Sequence, residues 1–185
     1  ASKLTNRFSE ELADVFPSGE FVKRGSMDRV EDLIRDATAA GYSHIALVGE
    51  SQKEPTNLVL TVLPEGPTFY FRLSSIKTSK NIVNKGRSSE YSPELILNNF
   101  DSKIGRLVGQ MFVSLFPVPE FKGRQVVTIH NQRDFLFVRR HRYIFDEKEK
   151  RNVRIQELGP QFTMKLKRIT QEGYVPAGDN CEFSD

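Results

Sequence analysis

The chain has 185 residues, of which 38% are hydrophobic, 10% aromatic and 28% charged, a balance that suits one domain with a sizeable core and excludes wholesale disorder. It contains no apolar run of about 18 residues and a single cysteine, Cys181, so neither a membrane-spanning helix nor a disulfide framework is encoded. The net charge of +3 is unevenly spread: residues 1–100 carry 12 Lys and Arg against 13 Asp and Glu, residues 101–170 carry 15 against 7, and residues 171–185 carry none against 4.

In chain order, Phe8, Leu12, Val15 and Phe16 fall on one helical face, which Pro17-Ser18-Gly19 terminates. Glu20 to Lys23 is a candidate short strand. Val30, Leu33, Ile34 and Ala37 predict a second helix, with acids in its first turns and Gly41 as its terminator. HIALVGE (44–50) reads as a buried strand. LVLTVL (58–63) and TFYFRL (68–73) read as a strand pair joined at Pro64-Glu65-Gly66-Pro67. Residues 77–93 form a long polar segment holding Lys77, Lys80, Lys85 and Arg87 against one acid, Glu90; that length in a compact domain implies a functional or mobile loop.

After ELILNNF (94–100), Ser102 is placed to cap a helix with the stripe Ile104, Leu107, Val108, Met111, Phe112 and Leu115. Its Gly105 and Gly109 point to close packing, and Pro117 and Pro119 to its end. QVVTIH (125–130), the turn NQRD (131–134) and FLFVRRHRYIF (135–145) predict a hairpin. A charged loop (146–152), VRIQELG (153–159), the breaker Gly159-Pro160 and FTMKLKRI (162–169) complete the ordered part. The acidic segment 171–185 is expected at the surface. Helical and strand periods alternate, so the class is α/β or α+β.

The sequence carries no phosphate-binding glycine loop, dinucleotide fingerprint or nucleophile elbow. His44, His130 and His141 lack metal-ligand spacing, and His44 reads as structural. Glu10 and Glu11 read as surface carboxylates, and Asp134 as a turn residue. The basic strands are more informative. In FLFVRRHRYIF, Phe135, Phe137, Arg139, His141, Tyr143 and Phe145 share one face, and Leu136, Val138, Arg140, Arg142 and Ile144 the other. Arginine is costly to bury unpaired, so RRHR must leave the core or meet acids such as Glu147, Glu149 and Glu157. In FTMKLKRI, Phe162, Met164 and Leu166 point inward, and Lys165 and Lys167 outward. If the two strands are neighbours, their cations form one patch suited to RNA phosphates. The aromatics are expected mainly in the core, and no strand shows the aromatic pattern of an RNA-recognition sheet.

Five segments, FYFRLSSI (69–76), YSPELILNNF (91–100), VGQMFVSLFP (108–117), GRQVVTIHNQRDFLFVRRHRYIF (123–145) and IQELGPQFTMKLKRI (155–169), together resemble a Brix domain over roughly residues 7–170. That resemblance implies an α/β fold of two packed halves, about 1–93 and 94–170, each similar to an anticodon-binding domain, with mixed sheets and helices. Residues 171–185 would be an acidic surface tail. Brix domains usually begin with a strand ahead of the first helix, and have basic flanking tails; an ordered fragment lacking both is expected here. The resemblance further implies a non-catalytic, cofactor-free role in the nucleolus. There the chain would bind precursor ribosomal RNA during large-subunit assembly and rRNA maturation, alongside other assembly factors including a dedicated protein partner, with no membrane. The family's RNA-contact region corresponds to Arg139, Arg140, His141, Arg142, Lys165, Lys167 and Arg168. The charge pattern adds Arg124, Arg133, Lys77, Lys80, Lys85 and Arg87. The alternatives are a small-subunit role or a scaffold whose basic strands meet an acidic protein.

Overall fold

The structure, a computed structural model, describes residues 1–25, 27–116, 118–145 and 153–174. Helix α1 (Lys3–Val15) opens it, capped by the Ser2 hydroxyl, which accepts from Thr5 N at 3.1 Å. Helix α2 (Val30–Ala39) follows and ends before Gly41 at φ +85°. Strands β1 (His44–Ser51), β2 (Glu54–Val62) and β3 (Thr68–Lys77) make an antiparallel meander. Strand β4 (Glu94–Asn98) leads through helix α3 (Lys103–Leu115) to β5 (Gln125–Gln132), which pairs parallel with β4 as a helical crossover requires. Strands β6 (Phe135–Phe145), β7 (Val153–Glu157) and β8 (Gln161–Thr170) complete the fold.

Among the described residues all eight strands join one sheet in the order β1-β2-β3-β8-β6-β5-β4, with β7 paired to β6 beside the end of β8. Strand β8 is the seam. It pairs with β3 along Thr68–Lys77 on one side and with the first half of β6 on the other. The later half of β6 pairs instead with β7. Gly159, at φ +72°, makes the step between β7 and β8, where a Cβ would lie 2.9 Å from Ser79 Cα. The mixed α/β class expected from the sequence therefore holds, as one sheet shared by both groups of strands.

The core lies on one face of that sheet. Phe8, Leu12 and Val15 of α1 and Val108, Met111 and Phe112 of α3 cover Leu58, Leu60, Phe69, Phe71, Val127, Ile129, Leu136, Val138, Phe162 and Met164. The rings of Phe8 and Phe162 meet edge-to-face at 5.2 Å. Gly109 lets α3 approach β4, with Leu97 Cδ1 3.4 Å from where a Cβ would sit. Helix α2 has no fully buried residue.

Several expectations change. Residues 20–23 form no strand; they are exposed and have no neighbouring strand to pair with. Strand β1 is only half-buried because it is the sheet's outer strand. Ile104 is exposed, although it fits the α3 stripe. Glu11 is not a surface carboxylate: it is 5% exposed and accepts bonds from Ser79 N at 2.6 Å and Ser79 Oγ at 2.7 Å. Segment 77–93 is a packed strap across the helical face. Beyond Glu11, it is tied by Gln125, whose Nε2 donates to the carbonyls of Ser89 at 2.9 Å and Tyr91 at 3.2 Å. Pro117, the loop 146–152 with Glu147 and Glu149, and the tail from 175 with Cys181 lie outside the described residues.

Candidate nucleic-acid interface

Strand alternation decides which way each basic side chain faces. On β6, Leu136, Val138 and Arg140 face the helices, so Phe135, Phe137, Arg139, His141, Tyr143 and Phe145 face the opposite side. The register extends this second face sideways. Phe135 is opposite Lys165 on β8, and Lys165 is opposite Arg72 on β3. Arg139 is opposite Thr128, and His141 lies between Val126 and Glu157. Tyr143 and Phe145 lie beside Ile155 and Val153.

Over β1–β3 this second face is closed: Thr61, Thr68 and Tyr70 are buried there. Residues 171–174 fold back onto it, with Thr68 Oγ1 donating to the Glu172 carbonyl at 3.3 Å. Toward β6 and β7 no described residue covers it. Phe135 is 39% exposed, Phe145 44% and Ile155 71%. The expectation that the aromatics belong mainly to the core therefore fails on β6. The alternation that puts Arg139 outward puts these rings outward too, and that was the sequence signal for them.

Three cations on this side of the sheet lie beside rings. Lys165 Nζ lies 5.2 Å from the Phe135 centroid, and Arg124 Cζ 5.3 Å from that of Phe145. Arg168 Cζ lies 4.3 Å from the centroid of Tyr70, its partner across the ladder. Arg139 folds back over the backbone, donating from Nη1 to the Val138 carbonyl at 2.8 Å. Tyr143 donates to Glu94 Oε1 at 2.8 Å; burial and that carboxylate push its phenol pKa up. Lys167 is the extra residue of a bulge between the Tyr70–Arg168 and Phe71–Leu166 pairs, half-buried. Arg133 stands exposed at the β5–β6 turn with φ +52°. Among the described residues, no ion pair joins Arg124, Arg133, Arg139, Lys165 or Arg168 to a carboxylate.

The other expected residues lie elsewhere. Arg140 faces the core and is 6% exposed. Its Nη2 donates to Gln125 Oε1 at 2.8 Å, and its Nε has no partner among the described residues. Burial pushes its pKa down from the usual arginine value, against the opposing pull of Asp14 and Glu11. Its guanidinium is sealed beneath the 77–93 strap, so it supports the fold and cannot reach a phosphate. Arg142 shares that side and donates to the Arg87 carbonyl at 3.2 Å. Lys80, Lys85 and Arg87 ride on the strap, and Lys77 stands at its start. The thirteen-residue set expected from sequence thus divides between the two faces of the sheet.

His44 is a structural tie, as expected. One ring nitrogen bonds the Ser43 hydroxyl and the other the Ser114 hydroxyl on α3, each at 2.8 Å, and burial lowers its pKa. Among the described residues no group of three His, Cys, Asp or Glu side chains could hold a metal ion, and no helix is long and apolar enough to cross a membrane.

Comparison with known proteins agrees with this architecture. The Brix domain family model matches residues 1–168. The chain is 45% identical over 170 residues to Ribosome production factor 1 of Saccharomyces cerevisiae, covering 91% of this chain and 57% of that protein. It is 47% identical over 178 residues to the Brix domain-containing protein C4F8.04 of Schizosaccharomyces pombe, covering 94% and 58%. The chain therefore spans a little over half the length of these relatives. Among solved structures, a probable ribosomal biogenesis protein from Aeropyrum pernix superposes with a TM-score of 0.64 at 18% identity, covering 89% of each chain, which speaks to the fold alone.

Proposed function

The chain belongs to the Brix domain family, and from that premise we propose that it is the RNA-binding part of a ribosome biogenesis factor. Its substrate is precursor ribosomal RNA of the large subunit, and its place of work the nucleolus. The role is non-catalytic: the domain holds RNA and presents its other surfaces to neighbouring assembly factors. The observation that carries this reading is the set of cations on and around the open sheet face, Arg124, Arg133, Arg139, Lys165 and Arg168, none of them ion-paired with a carboxylate of the described residues. A polyanion neutralises such a surface and releases counterions in doing so.

The test is a salt titration of RNA binding. Five phosphate contacts give a log–log slope of about −3.5 to −4.5. Arg139→Ala with Lys165→Ala should flatten it by about 1.4–1.8 and weaken binding. Lys80→Ala, Lys85→Ala and Arg87→Ala together, on the opposite face, should leave the slope near that of the parent. Equal slopes for the parent and the open-face double variant would overturn the assignment.

A second, compatible reading has its own observation. Val113 and Phe121 are exposed and line a shallow groove with Leu95 and Leu97 of β4, the sheet's other outer strand, which suits a protein partner. A partner bound there should survive nuclease treatment and be released by Val113→Asp with Phe121→Asp.

A further inference from the structure

We infer that the open sheet face binds unpaired RNA, stacking bases on the β6 aromatics while the neighbouring cations hold the phosphates. This rests on the RNA-binding reading above and narrows its substrate to single strands.

The geometry carries three steps. First, Phe135 and Phe145 expose 39% and 44% of their surface on the same side of one strand, and Phe145 lies across the ladder from the exposed Val153 of β7, so the apolar surface there extends beyond a single ring. Second, each ring is already paired with a cation, Lys165 at 5.2 Å and Arg124 at 5.3 Å from the centroids. A ring with an ammonium or guanidinium beside it offers a base a stacking surface and its phosphate a counter-charge. Third, the two rings bracket Arg139 and His141 along one strand. Ten residues at about 3.4 Å each separate them by roughly 34 Å, enough for several nucleotides of extended chain. A duplex keeps its bases stacked on one another and unavailable to such rings, whereas an unpaired strand can splay them. An acidic protein would satisfy the cations but has no need of a ring beside each one, so charge and aromatic placement together favour RNA.

The experiment compares two ligands and two variants of the 185-residue chain. The ligands are a fluorescein-labelled unstructured RNA of about 12 nucleotides, within the usual site size, and a duplex of the same length. Binding is followed by anisotropy from low to moderate salt. Phe135→Leu with Phe145→Leu keeps apolar bulk at exposed positions and removes the stacking surface. It should weaken single-strand binding about tenfold or more, leave the salt slope unchanged and spare duplex binding. Arg139→Ala with Lys165→Ala should flatten the slope for both ligands. If the leucine variant binds the single strand like the parent while the cation variant loses affinity, stacking is overturned, the RNA reading stands, and the rings are left to a protein partner. If the parent binds neither ligand at low salt, both readings fall together.

Discussion

Replacing Glu11 with alanine should unfasten the strap that closes one end of the core. The carboxylate is 5% exposed and accepts from Ser79 N at 2.6 Å, Ser79 Oγ at 2.7 Å and Arg7 Nε at 2.8 Å. A hydrogen bond to a charged group contributes about 1.5–3 kcal/mol when buried. The two Ser79 bonds qualify; the Arg7 contact is half-exposed and adds little. Removing the carboxylate also strands the Ser79 amide in a site that excludes water. Together these set the cost of Glu11→Ala at about 3–5 kcal/mol. Glu11→Gln, whose amide group would face the Ser79 donors, should cost about 2 kcal/mol. Urea denaturation followed by circular dichroism measures both, and hydrogen exchange locates the damage. Protection should fall first between Ser79 and Tyr91, the stretch tied to Glu11 at one end and Gln125 at the other. An alanine variant within about 0.5 kcal/mol of the parent, the scatter of ordinary surface changes, would refute the reasoning and make the strap an ornament of the fold.

Three other outcomes follow from local geometry. Phe162→Ala, which empties a site 1% exposed against Phe8, should cost about 3–5 kcal/mol in the same assay. Ser102→Ala removes the hydroxyl that accepts from Gly105 N at 2.9 Å and should cost about 1 kcal/mol of stability. Because burial holds the folded-state pKa of His44 below its usual 6.5, the unfolded chain takes up a proton more readily. The stability His44 contributes is full above about pH 6.5 and is lost as pH falls through its folded-state value. In melting curves across that range, His44→Gln should show a weaker loss on acidification than the parent.

The elements were legible where a single periodicity ruled. Helix α3 was written in its apolar stripe and Ser102 cap, and the β5–β6 hairpin in NQRD between alternating strands. Glu11 was not legible. Its neighbours on α1 give an ordinary amphipathic pattern, and its partner Ser79 lies 68 positions away. The strap read as a functional or mobile loop because its anchors are side chains of other elements, Glu11 and Gln125, which leave no local signature. Nor did the residues disclose that β8 would be the seam. FTMKLKRI reads as a half-buried strand whichever neighbours it takes, and only the register assigns it to both β3 and β6.

The RRHR run shows why charge density along a chain is a poor map of an interface. Four consecutive polar residues on a strand cannot all face one partner, because alternate side chains leave opposite sides of the sheet. Arg139 and His141 go to the open face; Arg140 and Arg142 go under the strap. Arg140 then performs a different task. Its Nη2 holds Gln125 Oε1, which turns the Gln125 amide toward the Ser89 and Tyr91 carbonyls. That chain of bonds fixes the strap from the sheet side as Glu11 fixes it from the helix side. An alanine at Arg140 would therefore disturb the fold whatever it did to the proposed RNA binding, and pairing it with Arg139→Ala would confuse the two effects. Arg139 with Lys165 is the informative pair: both face outward, both lie on regular strands, and neither is ion-paired with a carboxylate of the described residues.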